Sequence, residues 1–185
     1  MMSAQKELFD LYDINRKPLG KTIERGAKLP PNTYRIIVHV CIFSTDGKML
    51  CQRRQPFKKS WSNMWDVSAS GAVDSGETSE QGARRETQEE LGLQLPQKLL
   101  PSLTINFDEG FADWYCVTAD VNESTCRLQQ EEVAEVRWLS QEEILQKISD
   151  GSFIPYEESL VNLIFALRNH RGDHSREDTS APTQK

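Results

Sequence analysis

The 185-residue chain lacks long apolar runs, closely paired cysteines and a surplus of positive charge. No apolar stretch approaches the roughly 20 residues that a membrane-spanning helix needs, and no basic segment followed by an apolar run marks a secretion signal. The four cysteines form no Cys-x-x-Cys pair, which favours reduced core residues over zinc ligands or disulfides. A formal net charge of −6 gives no overall basic field for nucleic acid or membranes. We therefore expect a cytoplasmic protein that binds neither.

The chain divides into three predicted segments. Residues 1–28 hold two short strand-like runs around the turn signal Asn15–Pro18, which predicts an N-terminal β-hairpin extension. Residues 29–170 are long enough to form one domain with its own core. Residues 171–185 are charged and rich in Ser and Thr, with almost no apolar side chains, and we expect them to be disordered.

Hydrophobic periodicity predicts a mixture of strands and helices in the central segment. The run Tyr34–Phe43 is apolar at both odd and even positions, which predicts a strand that is buried on both faces. The Asp46-Gly47 pair predicts a turn into a returning antiparallel strand. Further strands are predicted at 65–69, 103–107, 111–121 and 133–139, and helices at 79–91, 140–148 and 157–169. The fold class is therefore α/β.

One acidic segment, GAVDSGETSEQGARRETQEELGL at 71–93, carries the strongest functional signal. Thr78 with Gln81 three residues later is a capping-box pattern, so a helix should begin near Ser79. Glu86, Glu89 and Glu90 then fall within one sector of roughly 100° on that helix. Such crowding of like charges is unfavourable unless a cation offsets it. Mg²⁺ or Mn²⁺ fits, because a few carboxylates leave coordination positions for water and phosphate oxygens.

A concentrated basic segment precedes the acidic one. The candidate substrate-binding residues are Arg53, Arg54, Lys58 and Trp61. Guanidinium groups suit phosphate contacts, and a neighbouring aromatic ring can stack on a base, although an ordinary charged loop has the same composition. Glu132 and, after it, Glu109 are loop carboxylates that could complete the acidic site, although solvated loop charges are common.

The acidic segment resembles the Nudix box, a motif of glycines, glutamates and an arginine at fixed spacing. The matching positions are Gly71, Glu77, Arg85, Glu86, Glu89, Glu90, Gly92 and Leu93. Thr87 departs from the pattern, because the family has an apolar residue there. The resemblance to Nudix hydrolases implies an α/β/α sandwich around a mixed sheet.

The resemblance also implies a role for each matched residue. Glu86, Glu89, Glu90 and the carbonyl of Gly71 would be ligands of Mg²⁺ or Mn²⁺. Arg85 and Glu77 would pair to join the loop to the helix. Glu89 would be the general base, with Glu86 as the second candidate.

Beyond the box, the chain from Glu7 to Ser140 resembles the subgroup related to isopentenyl-diphosphate isomerase. Those isomerases carry a catalytic Cys shortly after the Trp that precedes the box, where this chain has Ser68-Ala69-Ser70-Gly71. The resemblance therefore implies hydrolysis of a small-molecule substrate, a nucleoside diphosphate linked to another moiety, without fixing an oligomeric state. The alternatives are an isomerase-like enzyme and a catalytically silent Nudix domain that senses a ligand.

Overall fold

The computed structural model describes residues 7–169. The segment 171–185, which we predicted to be disordered, lies outside the described residues. None of the helices within 7–169 has the length and apolar character to cross a membrane.

The N-terminal segment forms the predicted hairpin. Strand β1 (Leu8–Tyr12) pairs antiparallel with β2 (Pro18–Glu24), and the two make a separate two-stranded sheet. The hairpin is held to the rest of the chain by backbone hydrogen bonds between Tyr12 and Tyr34 in both directions.

The main sheet has seven strands: β3 (Arg35–Phe43), β4 (Met49–Arg54), β5 (Trp65–Asp66), β6 (Ala69–Ala72), β7 (Leu103–Phe107), β8 (Gly110–Thr118) and β9 (Val133–Leu139). Its central order is β5-β4-β3-β8-β7, while β6 pairs with β3 and β9 pairs with β4. Strands β3 and β8 run parallel, and the other paired strands of the described residues run antiparallel. The sheet is therefore mixed, as predicted.

Helices cover both faces of the sheet. Helix α1 (Ser79–Leu91) lies on one face, while α2 (Gln141–Ser149) and α3 (Glu158–Leu167) lie on the other. Val38 and Val40 of β3 belong to the core beneath α1, whereas Cys41 and Phe43 belong to the core beneath α2 and α3. The predicted α/β/α sandwich, with its central strand buried on both faces, is confirmed.

The structure corrects three predicted element boundaries. The strand predicted at 65–69 is two strands, because β5 pairs with β4 whereas β6 crosses to pair with β3. The buried Ser68 lies between them, where its hydroxyl donates to the carbonyl of Leu50. The strand predicted to reach 121 ends at Thr118, and the last helix is shorter than predicted, running only from Glu158 to Leu167.

Candidate active site

Helix α1 begins and ends through local contacts that its sequence predicts. The Thr78 hydroxyl accepts from the backbone N–H of Gln81, and the Gln81 side chain accepts from the backbone N–H of Thr78. Gly92 takes a left-handed conformation, with φ of 69°, which ends the helix. The buried Thr87 hydroxyl donates to the Ala83 carbonyl at 2.8 Å, so the residue that departs from the motif leaves no unsatisfied donor.

Gly71 allows the helix to approach strand β6. A Cβ atom at this position would lie only 2.0 Å from Oε1 of Glu86, well inside van der Waals contact. The Glu86 carboxylate therefore occupies the volume that any other residue at 71 would fill. This close approach explains why a glycine stands here, 15 residues before the glutamate that it accommodates.

The guanidinium of Arg85 joins the loop before the helix to the helix carboxylates. Its Nε donates to Oε1 of Glu77 at 2.9 Å, and its Nη2 donates to the Ala72 carbonyl at 2.9 Å. Its Nη1 donates to Glu86 at 2.9 Å and to Glu89 at 3.2 Å. Arg85 thus holds together the loop, strand β6 and two of the three predicted metal ligands.

The third predicted ligand, Glu90, lies deeper than the other two. Its residue is only 3% exposed, compared with 49% for the side chain of Glu89. Oε2 of Glu90 accepts from Nε2 of Gln52 at 2.9 Å and from the backbone N–H of Ser70 at 3.1 Å. Neither Gln52 nor Ser70 was among the predicted site residues.

The electrostatics of the helix carboxylates favour a bound cation. Burial raises the pKa of Glu86 to about 7; Arg85 lowers it, and Glu89 raises it further. Burial also raises the pKa of Glu90 well above its usual value, and the neighbouring Glu86 adds to the shift. A nearby positive charge would stabilise the ionised form of these two carboxylates, which burial disfavours.

The donor set fits a hard divalent cation. Within residues 7–169 no three His, Cys, Asp or Glu side chains are already arranged as a metal-binding group. The site does, however, offer only oxygen donors, the carboxylates of Glu86, Glu89 and Glu90 together with the backbone at Gly71, and all four residues line one cleft. Mg²⁺ and Mn²⁺ prefer such oxygen ligands.

The cleft has a volume of about 640 Å³ and is built from both the main domain and the hairpin. Its lining from the main domain is Arg54, Ser70, Gly71, Ala72, Asp74, Ser75, Arg85, Glu86, Glu89, Glu90, Gln129 and Glu132. Its lining from the hairpin region is Glu7, Leu8, Phe9 and Arg25. The hairpin, predicted as a mere extension, therefore forms one wall of the site.

One of the candidate substrate-binding residues lines the cleft, and a second is bonded to a residue that lines it. Arg54 lines it and has no ion-pair partner among the residues that the structure describes. Lys58 donates to Oε1 of Glu132 at 2.5 Å, and Glu132 itself lines the cleft. The candidate extra carboxylate thus lies at the cleft but is paired with a lysine.

Arg53, Trp61 and Glu109 are not among the cleft-lining residues. Arg53 forms an ion pair with Glu135, 3.1 Å away, on the neighbouring strand β9. Trp61 lies half-exposed in the loop between β4 and β5. Glu109 lies in the turn between β7 and β8, where its carboxylate accepts from Arg35 at 2.5 Å.

Comparison with known proteins gives a consistent result. The family model described as NUDIX domain matches residues 33–157. A Nudix hydrolase from Listeria monocytogenes is 44% identical over 164 residues, covering 88% of this chain and 96% of its own. Nudix hydrolase 3 of Arabidopsis thaliana is 32% identical over 168 residues, covering 82% of this chain but only 22% of its own. A crystal structure from Deinococcus radiodurans has a TM-score of 0.69 at 26% identity, covering 87% of this chain and 99% of that one.

Proposed function

Because the chain belongs to the Nudix hydrolase family, whose members cleave pyrophosphate bonds, we propose that it hydrolyses a nucleoside diphosphate linked to another moiety. The observation that carries this proposal is that three helix carboxylates and Arg54, which has no ion-pair partner within residues 7–169, line one cleft. The carboxylates suit a divalent cation, and the guanidinium suits a phosphate oxygen. A diphosphate is a group that a divalent cation and a guanidinium can bind together.

Glu86, Glu89, Glu90 and the Gly71 carbonyl would hold Mg²⁺ or Mn²⁺. When bound, such an ion offsets negative charge on the diphosphate and activates water as a nucleophile. Arg85 keeps Glu86 and Glu89 in place through its hydrogen bonds to both. It is itself anchored through Glu77, so the loop and the helix hold their ligands in a fixed relation.

Glu89 is the proposed general base. Its half-exposed carboxylate lines the cleft, so it can accept a proton from a water molecule that attacks phosphorus. The bond from phosphorus to the bridging oxygen then breaks, leaving a nucleoside monophosphate and a phosphorylated remainder. Glu86 is the second candidate, because its carboxylate also lines the cleft, one helical turn before Glu89.

Substrate contacts are proposed for the segment that begins at Arg54. Arg54 would bind a phosphate oxygen, and Lys58 would move from Glu132 to do so. Arg53 and Trp61 would act only if the β4–β5 loop closed over a bound substrate, since both lie outside the cleft lining.

The test is a substrate screen with a matched pair of variants. The purified chain is incubated with Mg²⁺ or Mn²⁺ and a panel of nucleoside diphosphate derivatives, and the phosphorylated products are identified by mass spectrometry. Glu89→Gln should lower kcat by about 100-fold or more. Glu80→Gln is the control, because Glu80 lies on the same helix but pairs with Arg84 away from the cleft lining.

Two outcomes would contradict the proposal. Interconversion of isopentenyl and dimethylallyl diphosphates without release of phosphate would indicate an isomerase. Tight binding of a nucleotide without turnover, even in excess metal, would indicate a ligand-sensing domain.

A further inference from the structure

Gln52 is an unusual residue for its position in the sheet. It follows the buried Met49, Leu50 and Cys51 in strand β4 and is itself only 1% exposed. Burying a side-chain amide is costly unless its polar atoms are hydrogen-bonded. Its Nε2 lies 2.9 Å from Oε2 of Glu90, 38 residues further along the chain, so this contact joins the central sheet to helix α1.

A second donor reaches the same oxygen of Glu90. The backbone N–H of Ser70, on strand β6, lies 3.1 Å from Oε2. Two donors from different strands therefore fix one oxygen, which limits rotation of the carboxylate. Among the described residues both donors use Oε2, and Oε1 is left for a ligand in the cleft that Glu90 lines.

Ser70 is in turn held by buried groups behind the cleft. Its hydroxyl donates to Oδ2 of Asp66 at 3.1 Å, and the Tyr156 hydroxyl donates to Oδ1 of Asp66 at 2.8 Å. Asp66 lies directly opposite Gln52 in the β4–β5 pairing. Ser70, the second donor to Glu90, is thus part of a polar network that continues through Asp66 to Tyr156, in the segment before α3.

We propose that Gln52 is a positioning residue that orients Glu90 to bind the divalent cation. Gln52 does not line the cleft and so acts through Glu90 rather than on the substrate. This inference rests on the proposed function, since it takes Glu90 as a metal ligand. Outer-sphere hydrogen bonds of this kind typically change metal affinity by about 10- to 100-fold.

The experiment measures binding of Mn²⁺ alone to the full chain, by the loss of the free-ion signal in electron paramagnetic resonance. Gln52→Met keeps the approximate size of the side chain but removes the donor, and we expect about tenfold weaker binding. Ser68→Ala is the matched control, because Ser68 is equally buried and bonds Leu50 and Ile42 rather than Glu90. It should bind Mn²⁺ with wild-type affinity.

A double variant separates positioning from a general structural effect. If Gln52 acts through Glu90, adding Gln52→Met to Glu90→Gln should change the Mn²⁺ affinity by less than about twofold. A full tenfold further loss would mean that Gln52 acts elsewhere, and would overturn the inference. If Gln52→Met does not fold, the Mn²⁺ affinity of Gln52→Asn tests the inference instead, because its shorter side chain cannot keep the 2.9 Å contact with Glu90.

Failure of the inference can be told from failure of the proposed function. Wild-type Mn²⁺ affinity in a folded Gln52 variant, together with weak binding by Glu90→Gln, would overturn only the positioning role. An absence of Mn²⁺ binding by the wild-type chain would overturn the proposed metal site, and the positioning role with it.

Discussion

At the residue scale, the missing side chain of Gly71 controls where Glu86 can lie. Gly71→Ala should therefore lower kcat/KM by about 100-fold, because a displacement of about 1 Å at a catalytic group can have that effect. The new methyl group would meet Oε1 of Glu86 at 2.0 Å and push it from the cleft. Steady-state kinetics with a thermal melt of each variant provide the measurement.

Gly82→Ala is the contrasting variant for Gly71. Gly82 lies on helix α1, the same helix as Glu86, but a Cβ there would meet Cγ2 of Val73 at 3.0 Å, in the core rather than in the cleft. We expect Gly82→Ala to change the melting temperature while kcat stays near the wild-type value. Equal losses of activity in the two variants would mean that Gly71 matters only for folding.

His39 should make the fold sensitive to acid. Its ring stacks on Trp114 with centroids 4.1 Å apart, and burial lowers its pKa to about 4 from the usual 6.5. The unfolded chain therefore binds a proton more readily between pH 6.5 and 4. The contribution of the neutral His39 to the free energy of unfolding is complete above pH 6.5. It is lost as the pH falls, and the loss reaches about 1 to 3 kcal/mol at pH 4.

The variant His39→Phe keeps the ring stack but removes the titrating group. Urea unfolding of both proteins between pH 7 and pH 4 should show a shallower loss of stability in His39→Phe. Parallel curves for the two proteins would show that His39 does not contribute to acid unfolding.

Local residue signals predicted part of the site and missed the part that depends on tertiary contacts. Glu86, Glu89 and Glu90 could be placed on one face because helical periodicity acts over four residues. Arg25 could not be predicted to line the cleft, since its position depends on how a separate hairpin docks. Gln52 did leave a weak signal, because a polar residue directly after a buried apolar run needs a partner.

At the element scale, helix α1 was easier to predict than the division of residues 65–72 into two strands. The bounds of α1 follow from Thr78, Gln81 and Gly92, which make their contacts within a few residues. The division of residues 65–72 into β5 and β6 depends instead on pairing with two different strands. That choice of partner is a long-range property with no local sequence signal.

The hairpin is also attached to the main domain through an ion pair whose carboxylate is buried and whose arginine is partly exposed. Arg16, at the hairpin turn, donates to both carboxylate oxygens of Asp113, which also accepts from Ser79 and Thr104. Burial alone would raise the pKa of Asp113, but these hydrogen bonds lower it. The same carboxylate therefore joins the hairpin to the first residue of helix α1.

Arg16→Gln should destabilise the fold by about 2 to 3 kcal/mol, because it leaves a buried carboxylate without its cation; the partial exposure of Arg16 limits the loss. Chemical denaturation measures the change. Asp113→Asn in the same chain should recover part of the loss, since the uncompensated charge is then removed. A double variant that is less stable than the wild-type protein by the full sum of the two single-variant losses would argue against a direct pair.

At the scale of the whole molecule, the buried glutamates link the stability of the fold to metal binding. Glu86 and Glu90 are held close together in a chain that is already acidic, with a net charge of −6. A cation that binds only the folded chain stabilises it by about 2.7 kcal/mol at 100 times its dissociation constant. For a chain of this size we expect Mn²⁺ to raise the melting temperature by about 5 to 10 °C relative to chelator.

The variants make this prediction specific to the site. Glu86→Gln and Glu90→Gln should melt at or above the wild-type temperature in chelator, because each replaces a carboxyl whose charged form burial disfavours with a neutral amide. The melting temperature of both variants should rise much less than that of the wild-type protein when Mn²⁺ is added, whereas that of Glu80→Gln should rise as much as the wild type. If the melting temperatures of all four proteins rose equally, Mn²⁺ would be acting on general surface charge rather than binding to the cleft carboxylates.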